Sequence, residues 1–125
     1  MSFRSREGAA RFAERRQREN DAPRLVGEVP NLATLRLEVE EHRGAAAMPE
    51  TKHVRHVVVA SAPALFLFPC GDTACRDGGH DLTRALLQHL ERGQTEFTLE
   101  ETCTGTIGTA SCGRTVRVRA RATYK

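Results

Sequence analysis

Apolar and polar residues alternate along several segments of the chain, and a period of two is typical of a strand with one solvent-facing side. The segment 35–40 reads LRLEVE, and the segment 53–60 reads HVRHVVVA. A third segment, Ala64 to Phe68, is apolar at every position, which is typical of a strand covered on both faces. We expect these three strands to form a meander.

The last quarter of the chain predicts a hairpin. If Cys103 lies opposite Cys112, then Leu99 falls opposite Val116 and Glu96 opposite Arg119. Among the pairs that this register sets opposite one another, the apolar residues lie on one face and the polar residues on the other, and a shift by one residue would destroy the match. The two cysteines then stand at the mouth of an eight-residue loop, on the side that faces the core.

A helix is predicted over about 81–92. Asp81 is a favourable N-cap and Gly93 a favourable residue just beyond the C-terminus. Leucines recur on one face of this helix at positions 82, 86 and 90, and they would pack on the sheet. The predicted fold is therefore α+β, with a five-stranded, mainly antiparallel sheet and one packed helix.

The length of 125 residues fits a single domain of residues 23–125 preceded by a flexible, basic arm of residues 1–22. The arm is either disordered or helical from Arg6 to about Arg18. No apolar run approaches the ~20 residues that cross a membrane, and the first residues lack a secretion signal, so we expect a cytoplasmic protein. The Ala- and Arg-rich composition is typical of a bacterial coding sequence rich in G and C.

Four cysteines form two pairs in the predicted loops, and their spacing indicates a metal site there. Cys70 and Cys75 are separated by four residues and follow the third predicted strand, while the hairpin brings Cys103 and Cys112 together. Structural zinc takes four such ligands in local pairs. Because cytosolic cysteines seldom form structural disulfides, the sequence predicts a structural zinc ion that joins the meander to the hairpin.

Other uses of the cysteines stay open. They could pair as disulfides or remain free thiols, or they could hold an iron–sulfur centre, although Gly78 stands where the plant-type spacing requires a third cysteine. His80 could replace one cysteine, but we expect it to be a surface residue beside the helix cap. His53 and His56 fall on opposite faces of one strand and form no pair.

Arginines are concentrated at the two ends of the chain. Residues 114–125 carry four arginines and one lysine with no acidic residue, and Arg117, Arg119 and Arg121 alternate on one face of the last strand. Same-face residues stand about 6.6–6.8 Å apart, a spacing that suits phosphate contacts. The basic residues of the arm would add to this surface, and they include Arg11, Arg15, Arg16 and Arg18.

These patterns favour a non-catalytic, zinc-stabilised binding module that contacts RNA or a nucleoprotein assembly. Cross-strand Glu–Arg pairs would neutralise part of the basic face, which weakens the case for nucleic acid. One alternative is therefore a protein-interaction subunit that docks through its N-terminal arm. The other is a thiol redox or metal-dependent enzyme. The sequence contains no G-x-S-x-G, phosphate-loop or H-E-x-x-H motif, so it supplies no catalytic residue to support that alternative.

Overall fold

The structure is a computed structural model that describes residues 13–43 and 48–125. Its helices are α1 (residues 13–21), α2 (Leu25–Glu28) and α3 (Thr83–Glu91). Its strands are β1 (Leu32–Arg43), β2 (Thr51–Val57), β3 (Leu67–Phe68), β4 (His80–Asp81), β5 (Glu96–Thr102), β6 (Thr106–Ile107), β7 (Ala110–Ser111) and β8 (Arg114–Tyr124). The fold is α+β, as predicted, but the described residues contain three helices rather than one packed helix.

The main sheet has four antiparallel strands in the order β2-β1-β8-β5, so the predicted five-stranded sheet is wrong. The long strand β8 pairs with β1 over nearly its whole length, while β2 is an edge strand with no third meander strand beside it in the described residues. The segment Ala64–Phe68 lies outside the main sheet. Only Leu67 and Phe68 pair, and their partner is β4 rather than a strand of the main sheet.

The core lies between the main sheet and the layer that covers one of its faces. The inner face of the sheet carries the buried apolar residues of β1 and β8, as the alternation predicted. Phe66 and Phe68 are buried in the covering layer, so their apolar character is explained by core packing rather than by a central strand. The principal core residues are Leu35, Leu37, Val39, Phe66, Phe68, Leu86, Leu90, Val116, Val118, Ala120 and Ala122.

Helix α3 confirms the predicted leucine face, because Leu82, Leu86 and Leu90 are all buried. The helix begins at Thr83, two residues later than the predicted start at about 81. Asp81 pairs in β4, yet its carboxylate accepts a hydrogen bond of 3.1 Å from the N–H of Thr83. Gly93 follows the helix with φ of 72°, the left-handed conformation in which glycine carries no steric cost.

The predicted hairpin forms, but its register differs from the predicted one by two residues. Leu99 lies opposite Val118 and Glu96 opposite Arg121. A shift of two keeps every side chain on its predicted face, which is why the alternation alone did not reveal the error. The short strands β6 and β7 continue the hairpin to a tight turn at Gly108, so the expected eight-residue loop is itself paired.

Part of the N-terminal arm is helical. Helix α1 covers residues 13–21, and Arg18 reaches Asp81 at 3.2 Å. The predicted start of this helix near Arg6 lies outside the described residues. Among the residues that the structure describes, no helix has the length and apolar character needed to cross a membrane.

Candidate metal centre

Four cysteine sulfurs converge beside the end of the main sheet. The Sγ atoms of Cys70, Cys75, Cys103 and Cys112 all lie within 4.8 Å of one another. The distance is 3.7 Å between the sulfurs of Cys70 and Cys112, and also 3.7 Å between those of Cys75 and Cys103. A cluster of this size and composition can hold one metal ion, and four thiolates in a tetrahedron are typical of zinc or iron sites.

Three separate segments deliver these cysteines. Cys70 and Cys75 lie in the loop between β3 and β4, Cys103 follows β5, and Cys112 lies between β7 and β8. Cys103 is not opposite Cys112, as the predicted register had it. Instead, its N–H donates to the carbonyl of Arg114 at 2.7 Å, while the N–H of Cys112 donates to the carbonyl of Gly105 at 2.9 Å.

Backbone hydrogen bonds hold the first loop against the hairpin. Inside the loop, the N–H of Cys75 donates to the carbonyl of Asp72 at 3.1 Å, which closes a turn. Arg76 and Thr106 then form an antiparallel bridge with two hydrogen bonds of 2.8 and 3.0 Å. The two loops are thus joined by main-chain contacts as well as by the cysteine cluster.

Two glycine N–H groups point at the sulfur of Cys103. Gly79 donates at 3.5 Å and Gly105 at 3.4 Å. Burial would raise the pKa of Cys103, but the hydrogen bonds from these N–H groups, together with those from the Cys75 and Cys112 thiols, hold the pKa below the usual value for a thiol. Donors aimed at a sulfur favour its thiolate form, which is the form that binds metal.

The other thiols with shifted pKa values resist ionisation. Burial, together with neighbouring thiols, raises the pKa of Cys70 to about 11 and that of Cys75 further still. A cluster of desolvated sulfurs therefore disfavours accumulation of negative charge unless a cation offsets it.

Glycines stand beside the sulfurs at positions where a side chain would clash. A Cβ atom on Gly78 would overlap the sulfur of Cys75 and stand 2.7 Å from that of Cys103. A Cβ atom on Gly105 would also overlap the sulfur of Cys75 and stand 2.6 Å from the carbonyl oxygen of Arg76. The glycine-rich composition of these loops is thus explained by close packing against sulfur.

A buried ion network that was not predicted from the sequence lies beside the cluster. Glu41 and Arg114 are both almost fully buried, with 3.3 Å between their charged groups, and Arg114 also contacts Glu50 at 2.6 Å. Glu41 accepts the N–H of Gly71, directly after Cys70, at 2.7 Å. The alternating pattern of the strands contained a sign of this network, since Glu41 stands at the next inner-face position of β1 and Arg114 at that of β8.

His80 is buried, so the expectation of a surface residue is wrong. Its side chain has no exposed area. The residue lies in β4, opposite the buried Phe68 of β3, in the layer that covers the main sheet. Neither ring nitrogen has a hydrogen-bond partner among the described residues, and Nδ1 lies 3.9 Å from Glu101. Burial lowers the pKa of His80, against a smaller opposing effect of Glu101 and Glu41. His80 is not part of the four-sulfur cluster.

The predicted arginine row lies on the outer face of the sheet, away from the cysteines. Arg117, Arg119 and Arg121 share this face, but Arg117 contacts Glu100 at 3.2 Å and Arg121 contacts Glu96 at 3.4 Å. Arg119 has no ion pair within the described residues. The outer face therefore alternates in sign instead of forming a continuous basic strip.

The arginines of the arm lie elsewhere. Arg15 and Arg18 line an open cleft of about 620 Å³ between α1 and the cysteine loop, whose other wall includes Asp77 and Asp81. Arg16 lies on the same helix, and Arg11 falls outside the described residues. The two predicted basic regions are therefore separate: α1 contacts the layer that covers the inner face, while the arginine row is on the outer face.

No protein-family model, curated protein or solved structure matches this chain. The functional interpretation therefore depends on the geometry of the cysteine cluster and of the surfaces around it.

Proposed function

We propose that this chain is a non-catalytic binding domain whose fold depends on one structural zinc ion held by Cys70, Cys75, Cys103 and Cys112. The observation that carries the proposal is the convergence of four sulfurs from three segments within 4.8 Å. The loop that carries Cys70 and Cys75 and the β6–β7 turn before Cys112 have few paired residues of their own, whereas Cys103 follows the main-sheet strand β5. A metal ion would join them, and its binding free energy would become folding free energy.

The chemistry of the donor set favours a structural role over a catalytic one. Four protein sulfurs complete a tetrahedral zinc site and leave no position for water or substrate. Cys75 and Cys103 are buried, and the glycines leave no space beside their sulfurs. The N–H groups of Gly79 and Gly105 orient and stabilise a ligand, as groups around structural sites commonly do.

Alkylation of the native thiols distinguishes this proposal from a thiol enzyme. The reduced, metal-loaded protein is treated with iodoacetamide, and the modified cysteines are identified by peptide mass spectrometry. We expect all four thiols to be protected until a chelator is added. Rapid modification of a single cysteine in the metal-loaded protein would contradict the structural role and favour a reactive thiolate.

For the partner, we propose RNA or a nucleoprotein assembly that contacts the outer face of the sheet. Arg117, Arg119 and Arg121 are spaced along one strand at a distance that suits successive phosphates. Arg119 supports this proposal best, because its exposed guanidinium contacts no carboxylate within 4.0 Å among the described residues, although its charge helps to lower the pKa of Glu40.

A protein partner is the second candidate, and the contacts of Glu96 and Glu100 favour it. These carboxylates neutralise two of the three arginines. A face of alternating sign suits a protein surface of complementary pattern better than a uniformly charged nucleic acid backbone.

Binding of a labelled single-stranded RNA separates the two candidates. We expect Arg119→Glu to weaken binding, and the affinity of the wild type to fall steeply as salt rises. Arg84→Glu, which changes an exposed arginine on α3, is the matched control with the same charge change. Equal effects of the two substitutions, or no measurable binding in low salt, would exclude the arginine row as an RNA contact and favour the protein partner.

A further inference from the structure

The two open edges of the main sheet carry opposite charges. The edge strand β2 contains Lys52, His53, Arg55 and His56 and no acidic residue, whereas the edge strand β5 contains Glu96, Glu100 and Glu101 and no basic residue. No further strand pairs with either edge in the described part of the chain. Each edge therefore repels a copy of itself and attracts the other edge.

The strand directions permit these edges to pair between molecules. Every neighbouring pair in the order β2-β1-β8-β5 is antiparallel, so β2 and β5 run in opposite directions. A second copy in the same orientation would place its β2 beside β5 of the first copy, again antiparallel. The result would be a continuous sheet with the strand order repeated.

The charged residues of the two edges also lie at matching positions along the strands. The observed registers place His56, Arg36, Arg121 and Glu96 in one row across the sheet, and Lys52, Glu40, Arg117 and Glu100 in another. Continuing these rows into a second copy sets Glu100 opposite Lys52 and Glu96 opposite His56. All four side chains are exposed on the outer face. Lys52, Glu96 and Glu100 each contact one charged residue of the neighbouring strand, at 3.6, 3.4 and 3.2 Å, so a facing opposite charge on a second copy would add a second contact.

The row between these two contains an exposed apolar residue. Val54, at the centre of β2, is 42% exposed and belongs to the same row as Thr98 of β5. In the continued sheet these two residues would face each other, and pairing would cover the valine. A β-branched pair at this position suits a strand contact.

We propose that copies of this chain associate head to tail, with the basic β2 edge of one molecule paired to the acidic β5 edge of the next. Charged edge residues also protect sheets against uncontrolled pairing. Protection alone, however, requires neither opposite signs on the two edges nor charges at matching positions. A two-fold dimer through either edge would bring like charges together, so the contact is heterologous and produces a ring or a filament.

Charge reversal at one contact tests the proposal in the full, metal-loaded chain. Lys52→Glu and Glu100→Lys both change exposed residues, and circular dichroism verifies that each variant keeps the fold. Sedimentation velocity across the micromolar to millimolar range should show association of the wild type that weakens as salt rises from about 0.05 to 0.5 M. Each variant alone should associate about tenfold more weakly than the wild type.

An equimolar mixture of the two variants should recover association. In the mixture, the reversed β2 edge of Lys52→Glu meets the reversed β5 edge of Glu100→Lys, and the two unchanged edges meet each other, so opposite charges face at every contact. Glu28→Lys, on the exposed side of α2, is the control and should associate like the wild type. A wild type that remains monomeric throughout, variants that associate as strongly as it does, or a mixture that shows no recovery would each overturn the proposal.

Discussion

The carboxylate of Glu41 accepts a hydrogen bond of 2.7 Å from the backbone N–H of Gly71, the residue directly after Cys70. The same carboxylate contacts the buried guanidinium of Arg114. One acidic side chain of the main sheet thus fixes both the start of the cysteine loop and the base of the hairpin that carries Cys112.

Removal of this carboxylate should destabilise the fold. Glu41→Gln leaves the charge of Arg114 buried with Glu50 as its remaining partner, and we expect a loss of about 2–4 kcal/mol in the free energy of unfolding. Urea denaturation of the metal-loaded protein measures the loss. Glu100→Gln, which removes an exposed partner of Arg117, should cost no more than about 1 kcal/mol. Equal losses in the two variants would show that burial of the Glu41 pair is unimportant.

Space beside the sulfurs should control metal affinity. Gly78→Ala places a methyl group against the sulfurs of Cys75 and Cys103, so the ligands must shift apart. We expect zinc affinity to fall by about 10- to 100-fold, measured by competition with a chromophoric chelator. At Gly27 a Cβ atom meets nothing within 4 Å, so Gly27→Ala should leave the affinity unchanged. An unaltered affinity in Gly78→Ala would contradict the close packing.

His80 should make stability depend on pH. Because burial lowers the pKa of His80 in the folded protein, the unfolded chain binds a proton more readily. Stability is therefore highest above the ordinary histidine pKa of about 6.5 and falls as the pH decreases through the folded-state value. His80→Phe keeps a ring of comparable size but binds no proton.

Urea unfolding of the wild type and of His80→Phe, measured between about pH 7.5 and pH 5, isolates this effect. Metal loss at low pH affects both proteins, so the informative quantity is the difference between their unfolding free energies. We expect that difference to shift against the wild type as the pH falls, by at most about 1.4 kcal/mol per pH unit for one proton. A difference that stays constant would show that His80 does not titrate on unfolding.

The sequence predicted local features well wherever one periodicity dominated. The alternation in β1 and β8 identified their inner faces, and the leucines of α3 identified its buried side. The convergence of the four cysteines followed from the same faces, because a two-residue error in register leaves each side chain on its predicted side.

Features set by contacts between distant segments were not predictable in the same way. An apolar segment such as Ala64–Phe68 suits either a central strand or a covering layer, and its pairing with the distant strand β4 decides between them. His80 has glycines and an aspartate as neighbours, which is typical of a surface residue, yet the pairing of β3 with β4 buries it. Glu41 and Arg114 each stand at an apolar position of an alternating strand, and that departure was the available signal.

Metal stoichiometry tests the structural role of the cysteine cluster most directly. Native mass spectrometry of the protein purified under reducing conditions, before and after a strong chelator, gives the number of bound ions, and circular dichroism of the same samples reports the fold. We predict one zinc ion per chain and loss of ordered structure when it is removed. A metal-free chain that stays folded with four free thiols would contradict the structural role of the cluster.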